Sequence, residues 1–226
     1  MLGSLMYFCL WGLLNLFRIS GWWRWRIVDR EHLPPPGVPT VVVANHIHWT
    51  DVHVVGASLP LARRPWWIAK SELFEIGFIA WWLRQMRTIP IRRGKRDLAA
   101  LKTAEETLET GELVVVFPEG HRSETRSLIA GRGGAVRLAA RSGSVIVPMA
   151  VWGTEQGFLA AMRRRPIEVR FGPPYTPQVE SDPIPPEQMT ALTDEMMLKI
   201  AALLPEKYQG VYRDKMLEQQ DVAPTD

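Results

Sequence analysis

Two short stretches carry side chains that could do chemistry together. In Asn45-His46-Ile47-His48-Trp49-Thr50-Asp51 a histidine leaves an apolar run and an aspartate follows five residues later. If a helix starts at Thr50 or Asp51, the loop between them folds the carboxylate back onto the imidazole. Such a pairing fixes the tautomer of the ring and stabilises the imidazolium formed when it accepts a proton. In Pro118-Glu119-Gly120-His121-Arg122-Ser123 an acid, a glycine and an arginine stand together after a second apolar run. Glycine lets backbone approach a ligand closely, and Arg122 offers two parallel donors to a phosphate. Between the two lies a basic turn after a short strand, Thr88-Ile89-Pro90-Ile91-Arg92-Arg93-Gly94-Lys95-Arg96, which alone reads equally as solvated surface charge. His-x4-Asp by itself is a weak signal.

Other chemistries fit less well. His46, His48, Asp51 and His53 fall within eight residues, a density that invites a zinc reading. The dinuclear hydrolase pattern is tighter and needs further histidines, yet only His32 and His121 remain, neither with a ligand partner at short spacing. No metal is therefore expected, and His48 and His53 are read as a loop residue and a helix residue. A serine hydrolase lacks its Gly-x-Ser-x-Gly elbow, leaving Ser71 and Ser123 as loop or capping residues. The single cysteine, Cys9, excludes a disulfide framework and a cysteine zinc cluster and fits a reducing compartment. A net charge of +3, from 27 basic and 24 acidic residues, is too small an excess to indicate nucleic acid. Its make-up says more: only six of those bases are lysines, and guanidinium grips phosphate in two-pronged fashion.

The elements that must position these groups follow from apolar periodicity. Thr40–Ala44, Leu113–Phe117, Val145–Val147, Met149–Val151 and Ile167–Phe171 are short β-branched runs, read as buried strands. Helical patterns lie between them. Asp97 caps a helix carrying Leu98, Leu101, Ala104 and Leu108 on one face, with Gly111 beyond its end. Gly134 to Ser142 reads as a second, closed by Gly143, and Met189, Leu192, Met196, Ile200 and Leu203 mark a third after Pro185-Pro186. Alternation of this kind predicts an α/β fold with a mixed, largely buried sheet flanked by helices. In 226 residues, 46% of them hydrophobic, one such domain with a full core is expected.

The N-terminus has a different character. Leu2 to Phe17 is almost wholly apolar, and sixteen helical residues reach about 24 Å, short of a hydrocarbon layer of roughly 30 Å. Arg18 and then Trp22-Trp23-Arg24-Trp25-Arg26 follow, indoles beside guanidiniums, the mixture that a lipid headgroup layer favours. The segment reads as a helix dipping into one leaflet and pinned by its Trp/Arg end, on the cytoplasmic face by the positive-inside tendency. It lacks the basic start and small-residue cleavage site of a secretory signal. Trp66-Trp67 and Trp81-Trp82, flanking Phe74, Ile76, Phe78 and Ile79, suggest a further lipid-facing or acyl-facing surface. The chain thus divides into a membrane-associated helical segment (1–30), a body (31–207) set off by Pro34-Pro35-Pro36-Gly37, and a polar tail (208–226).

With these residues in view, the chain resembles the glycerophospholipid acyltransferases typified by 1-acyl-glycerol-3-phosphate acyltransferase. The likeness runs from about Leu33 to Gly172 and rests on four blocks in order. They are Asn45-His46…Asp51, Ile89-Pro90-Ile91-Arg92-Arg93, Phe117-Pro118-Glu119-Gly120-His121-Arg122-Ser123 and Val147-Pro148-Met149-Ala150-Val151. Lys70-Ser71-Glu72-Leu73-Phe74 and Gly131-Arg132-Gly133-Gly134 look like the stretches between them. The resemblance implies that His46, oriented by Asp51, acts as general base on the free hydroxyl of a lysophosphatidic acid, with another lysophospholipid or glycerol-3-phosphate as the alternative acceptor. That hydroxyl attacks the thioester of acyl-CoA or an acyl-carrier protein, without an acyl-enzyme and without a cofactor. It also implies that Arg93, Glu119, Gly120 and Arg122 hold the acceptor's phosphate and glycerol, and that Pro148 lines an acyl pocket. Membrane lipids are then the expected partners. Three positions depart from the family's pattern: His48 replaces a small polar residue, His121 a threonine, and Arg92 an acid beside the motif arginine. Arg92 and Arg93 therefore compete for the phosphate, Arg93 being favoured by alignment. A membrane lipid-binding module without turnover is the rival from another class, though it needs no oriented base.

Overall fold

Runs that are apolar on both faces can only be strands covered on both sides, and that is how the chain uses them. The computed structural model describes residues 1–92, 97–157 and 165–222. Its strands are β1 (Trp25–Val28), β2 (Thr40–Ala44), β3 (Trp66–Lys70), β4 (Thr88–Ile91), β5 (Leu113–Val116), β6 (Val145–Trp152) and β7 (Ile167–Phe171). The helices are α1 (Leu2–Ile19), α2 (Asp51–Ser58), α3 (Gly77–Gln85), α4 (Leu98–Glu109), α5 (Gly134–Ser142), α6 (Pro186–Ala201) and α7 (Arg213–Val222). One seven-stranded sheet has the order β1-β7-β6-β2-β5-β3-β4. The five strands from β6 to β4 are parallel; β7 runs antiparallel to β6, and β1 joins the edge parallel to β7. The expected mixed, buried sheet is thus present.

All five residues of β2 are buried, and a core lies on each face of the sheet. One packs Ala104, Leu108, Leu138 and Met196 of α4, α5 and α6 against it; the other packs Val54, Val55, Leu59 and the indoles of Trp23 and Trp25. Asp97 caps α4 by accepting from the Ala100 N–H, and Gly143 closes α5 in the left-handed conformation. Of the apolar face assigned to α4, Leu98 is exposed, because it stands at the open first turn. β6 runs unbroken through Pro148. Next to Pro148 the pairing with the β7 side is reduced to one bond, from the Gly172 N–H to the Pro148 carbonyl, between Met149↔Phe171 and the isolated Ile146↔Tyr175 bridge.

Three sequence readings need correction. The Trp22–Arg26 run does not lie wholly in a headgroup layer: Trp23 and Trp25 are each 5% exposed, since β1 begins at Trp25 and its indole packs under the sheet edge. Only Trp22 of the three faces outward. Of the later pairs only Trp66 departs from a lipid- or acyl-facing surface, since it carries the Arg87 guanidinium over its ring, whereas Trp67 and Trp82 face a cavity and Trp81 is exposed. The body also extends past Lys207, because Tyr208 and Tyr212 bury their rings in the core and α7 follows them.

Helix α1 is long and apolar enough to cross a membrane by length and composition, and only 11% of it is buried. It is nevertheless docked on the domain, and the docking uses polar atoms. Residues near the end of α2 have carbonyls without helical partners, and α1 supplies donors. The Tyr7 hydroxyl donates to Gly56, Trp11 Nε1 to Leu59 and Asn15 Nδ2 to Ala57, each at 3.0 Å. Gly3 crosses α3 so closely that a Cβ would stand 2.5 Å from the Gln85 carbonyl. Arg64, under the Tyr7 ring, bonds Ser4 of α1 and the Gln85 carbonyl of α3. Leu5, Phe8, Leu13 and Leu16 of α1, with Phe78 and Trp81 of α3, are left facing outward.

Candidate active site

Both chemistry-bearing stretches emerge from the C-terminal ends of neighbouring parallel strands, β2 and β5, where such sheets gather their ligands. Asp51 opens α2 and is completely buried. One of its oxygens, Oδ2, accepts from His46 Nδ1 at 2.8 Å and from the backbone N–H groups of Ile47 (2.7 Å) and His48 (2.8 Å). The other, Oδ1, accepts from the Thr154 hydroxyl at 2.5 Å. A carboxylate accepts only, so His46 carries its proton on Nδ1 and Nε2 keeps a free lone pair. Phe117 stacks on the imidazole, 4.2 Å between centroids at 20°, with Trp67 stacked behind it. One edge tied and one face covered leave the ring a single orientation.

Glu119 lies beneath rather than beside this ring. It is 1% exposed and spends both oxygens on backbone: Oε1 accepts from His46 N–H at 2.6 Å and Oε2 from Ile129 N–H at 3.2 Å. Burial pushes its carboxyl up to about 7, with the two backbone donors opposing and Asp51 adding to the rise. Asn45 completes the frame. Its amide side chain donates to the Val151 carbonyl and accepts from the Val151 N–H, each at 2.8 Å, locking the end of β2 to β6.

A cavity of about 740 Å³ opens over His46. One side of it is hydrocarbon: Leu10, Trp11 and Leu14 of α1, Val52 of α2, and Leu83 of α3. The other is mixed, with the guanidiniums of Arg92, Arg132, Arg137 and Arg141 set among Leu98, Leu101, Ala104 and Leu138. Arg92 is tied to Asp97, and Arg141 to Glu105 at 2.7 Å. Arg132 and Arg137 have no ion-pair partner among the described residues. Gly120 also lines the cavity, at φ +78, and a Cβ there would stand 3.0 Å from Arg132 Nε, so the glycine gives the guanidinium its place.

The predicted residues are thus distributed unevenly. His46 and Gly120 line the cavity, with Asp51 and Glu119 bracing them from below. Arg122 is exposed and not on the cavity wall; it lies near enough to His48 to help depress that imidazole, an effect led by burial. Pro148 is buried in β6, and its carbonyl accepts from Gly172 N–H; it does not line the cavity. Arg93 lies outside the described residues. Sequence reasoning missed Arg132, Arg137 and Thr154. The glycines around Arg132 were the available signal: a Cβ on Gly131 or Gly133 would come within about 2.5 Å of Met197 or Met189 on α6, so the turn must pass close under that helix. Nothing local marks Thr154. His48 turns away to the Thr50 hydroxyl at 2.8 Å, and among the described residues no group of three or more His, Cys, Asp or Glu is placed to hold a metal ion.

Residues 24–152, more than half of the chain, match the acyltransferase family. The chain belongs to that family. His46, Asp51, Glu119, Gly120, Arg132 and Pro148 all fall inside the matched span of this acyltransferase-family chain. Among curated relatives, the 1-acyl-sn-glycerol-3-phosphate acyltransferase alpha of Bos taurus is 32% identical over 172 residues, 75% of this chain and 59% of that protein. The chloroplastic 1-acyl-sn-glycerol-3-phosphate acyltransferase LPAT1 of Arabidopsis thaliana is 31% identical over 147 residues, 64% of this chain and 40% of that protein. The lyso-ornithine lipid O-acyltransferase of Pseudomonas aeruginosa is 29% identical over 59% of this chain and 53% of its own length. The chain therefore spans about half the length, or less, of several relatives it matches. The 1-acyl-sn-glycerophosphate acyltransferase PlsC of Thermotoga maritima shares the fold, with a TM-score of 0.59 at 21% identity over 89% of this chain and 74% of that one.

Proposed function

We propose that the protein transfers a fatty acyl group from a thioester to the free hydroxyl of a lysophosphatidic acid, giving phosphatidic acid. The observation that carries this reading is an imidazole with Nδ1 on Asp51 and a free Nε2, set in one cavity between a hydrocarbon wall and a wall that carries four guanidiniums. The acceptor's hydroxyl gives its proton to His46 Nε2 as its oxygen attacks the thioester carbonyl. The tetrahedral intermediate collapses, the C–S bond breaks, and the departing thiolate takes the proton back from the imidazolium. Asp51 keeps the ring in the tautomer that can accept and stabilises its charge. Arg132, with Arg92 lining the same cavity, takes the phosphate, while the acyl chains lie against α1 and α2. Gly120 leaves room for the headgroup, and Glu119 holds His46 at its backbone. Arg122 serves the phosphate only if the turn that carries it closes over the cavity once lipid is bound, and Arg93 is a further candidate for the same anion. The donor is a phosphopantetheine thioester, on CoA or on a carrier protein.

Such a substrate explains the outward hydrocarbon of α1 and α3. Each CH₂ drawn from lipid into water costs about 0.8 kcal/mol, so an enzyme resting in the leaflet avoids extracting a whole chain. Arg18, Arg24 and Arg26 at the foot of α1 favour the cytoplasmic face.

The test is incubation with a labelled acyl-CoA and a panel of lysophosphatidate, glycerol-3-phosphate and a phosphate-free lysolipid. The expected result is labelled phosphatidate with stoichiometric CoA release, reduced about 10²–10⁴-fold in His46→Ala. Lipid binding without CoA release would make the protein a binding module. A His46→Ala rate within a few-fold of wild type would remove the base from His46.

A further inference from the structure

The reaction as written leaves one buried polar group of the cavity unused. Helix α2 and the turn before it present Trp49, Val52, His53, Gly56 and Ala57 to the cavity, the spacing of one helix face, opposite Tyr7, Leu10, Trp11 and Leu14 of α1. Two other polar atoms on this arm are spent within the protein, the Tyr7 hydroxyl on Gly56 and the Trp11 N–H on Leu59, and Trp49 lies exposed at its mouth. His53 is not spent. Its Nδ1 is buried without a partner, and among the described residues neither ring nitrogen is hydrogen-bonded; the Trp49 indole stands edge-on at 5.7 Å. Burial pushes the imidazole below its ordinary value, so at neutral pH the ring is uncharged, with one N–H to give and one lone pair to offer. Because Nδ1 has essentially no accessible surface, Nε2 is the ring nitrogen that a ligand in this arm can reach.

We propose that His53 selects an acyl chain bearing a hydroxyl group, which it hydrogen-bonds in the arm of the cavity between α1 and α2. The inference rests on the acyl-transfer reading above and narrows its substrate class. A plain hydrocarbon chain fills the arm but leaves the imidazole unpaired. A hydroxylated chain fills it and pairs the ring, either by donating to the lone pair or by accepting the N–H. The chain in question belongs either to the thioester donor or to the lysolipid acceptor; the chemistry at His53 is the same.

The experiment uses the full chain on lipid vesicles and two substrate arms. In the first, β-hydroxymyristoyl-CoA and myristoyl-CoA compete for one plain lysophosphatidate. In the second, myristoyl-CoA is offered lysophosphatidates with plain or hydroxylated chains. The expected result is a kcat/KM ratio of about three- to tenfold in favour of the hydroxylated chain in one arm, which identifies the chain that lies on α2. His53→Leu should bring that ratio to about one while the plain-chain rate stays within a few-fold, and His53→Gln, which keeps a donor and an acceptor, should restore part of it. If His53→Leu does not fold, His53→Phe carries the same comparison. Flat wild-type ratios in both arms, or a preference that survives both apolar variants, overturn the assignment while leaving acyl transfer intact. Failure to acylate any lysophosphatidate overturns both.

Discussion

The two walls of the cavity are built on different terms. Along α1, α2 and α3, polar atoms are turned inward and consumed: Tyr7, Trp11 and Asn15 cap the carbonyls near the end of α2, and hydrocarbon is left facing both the cavity and the outside. Along the strand ends, α4 and α5, charge is added to the hydrocarbon. Carboxylates sit below the floor holding His46, while the guanidiniums of Arg132 and Arg137 face the open space. One wall suits a chain that comes from a bilayer; the other suits an anion that stays at its surface. A molecule with both parts reaches the imidazole only where the walls meet, so the difference between them acts as a positioning device.

The comparison breaks first at the floor. Asp51→Asn keeps the size of the group but cannot accept from all four of its donors, and the ring loses its enforced tautomer. Turnover should fall on the order of 10³-fold with folding preserved, as read by initial rates beside a melting curve. Glu119, the second floor carboxylate, gives a stability effect instead. Its folded-state value near 7 lies above the ordinary carboxylate value, so its favourable contribution is complete at acid pH and drains away as pH rises through about 7. Urea unfolding should show wild type losing on the order of 2–3 kcal/mol relative to Glu119→Gln between pH 5 and pH 8. An unchanged difference would mean that the carboxyl is already ionised at pH 5.

The basic wall comes next. Arg132→Ala should raise KM for lysophosphatidate about 10- to 100-fold with little change in kcat, and should leave a phosphate-free lysolipid unaffected. Equal losses with both acceptors would make the residue a scaffold for Gly120 rather than a phosphate ligand. The smallest effect per side chain belongs to the outer face. Phe78→Ser with Trp81→Ser should weaken sedimentation with vesicles about 30-fold, since large side chains half-inserted in lipid contribute on the order of 1 kcal/mol each. Turnover in detergent should not change.

Much of this was legible beforehand because local physics governs it. β-branched runs could only be buried strands, Asp97 and Gly143 marked helix ends, and His46 with Asp51 needed nothing but the loop between them. What escaped depended on distant partners. Trp23 and Trp25 look like interface indoles until β7, some 140 residues later, turns Trp25 into a sheet-edge residue. Thr154 reaches Asp51 across a separation of 103 residues, and no spacing announces it. Glu119 carried the right letter for a ligand but spends both oxygens on backbone. Arg132 drew notice only as part of a glycine-rich turn, because its place is set by α6 pressing on the neighbouring glycines.

The central claim is that both walls serve one bound molecule at His46. A lysophosphatidate with a photoreactive group at the end of its acyl chain, irradiated on the intact protein and mapped by mass spectrometry, tests this directly. The account predicts adducts on Leu10, Trp11, Leu14 and the Trp49–Ala57 face, suppressed by excess unlabelled lysophosphatidate and moved or lost in Arg132→Ala. Adducts confined to α5 or to the outer surface of α3, or labelling indifferent to competitor, would contradict it.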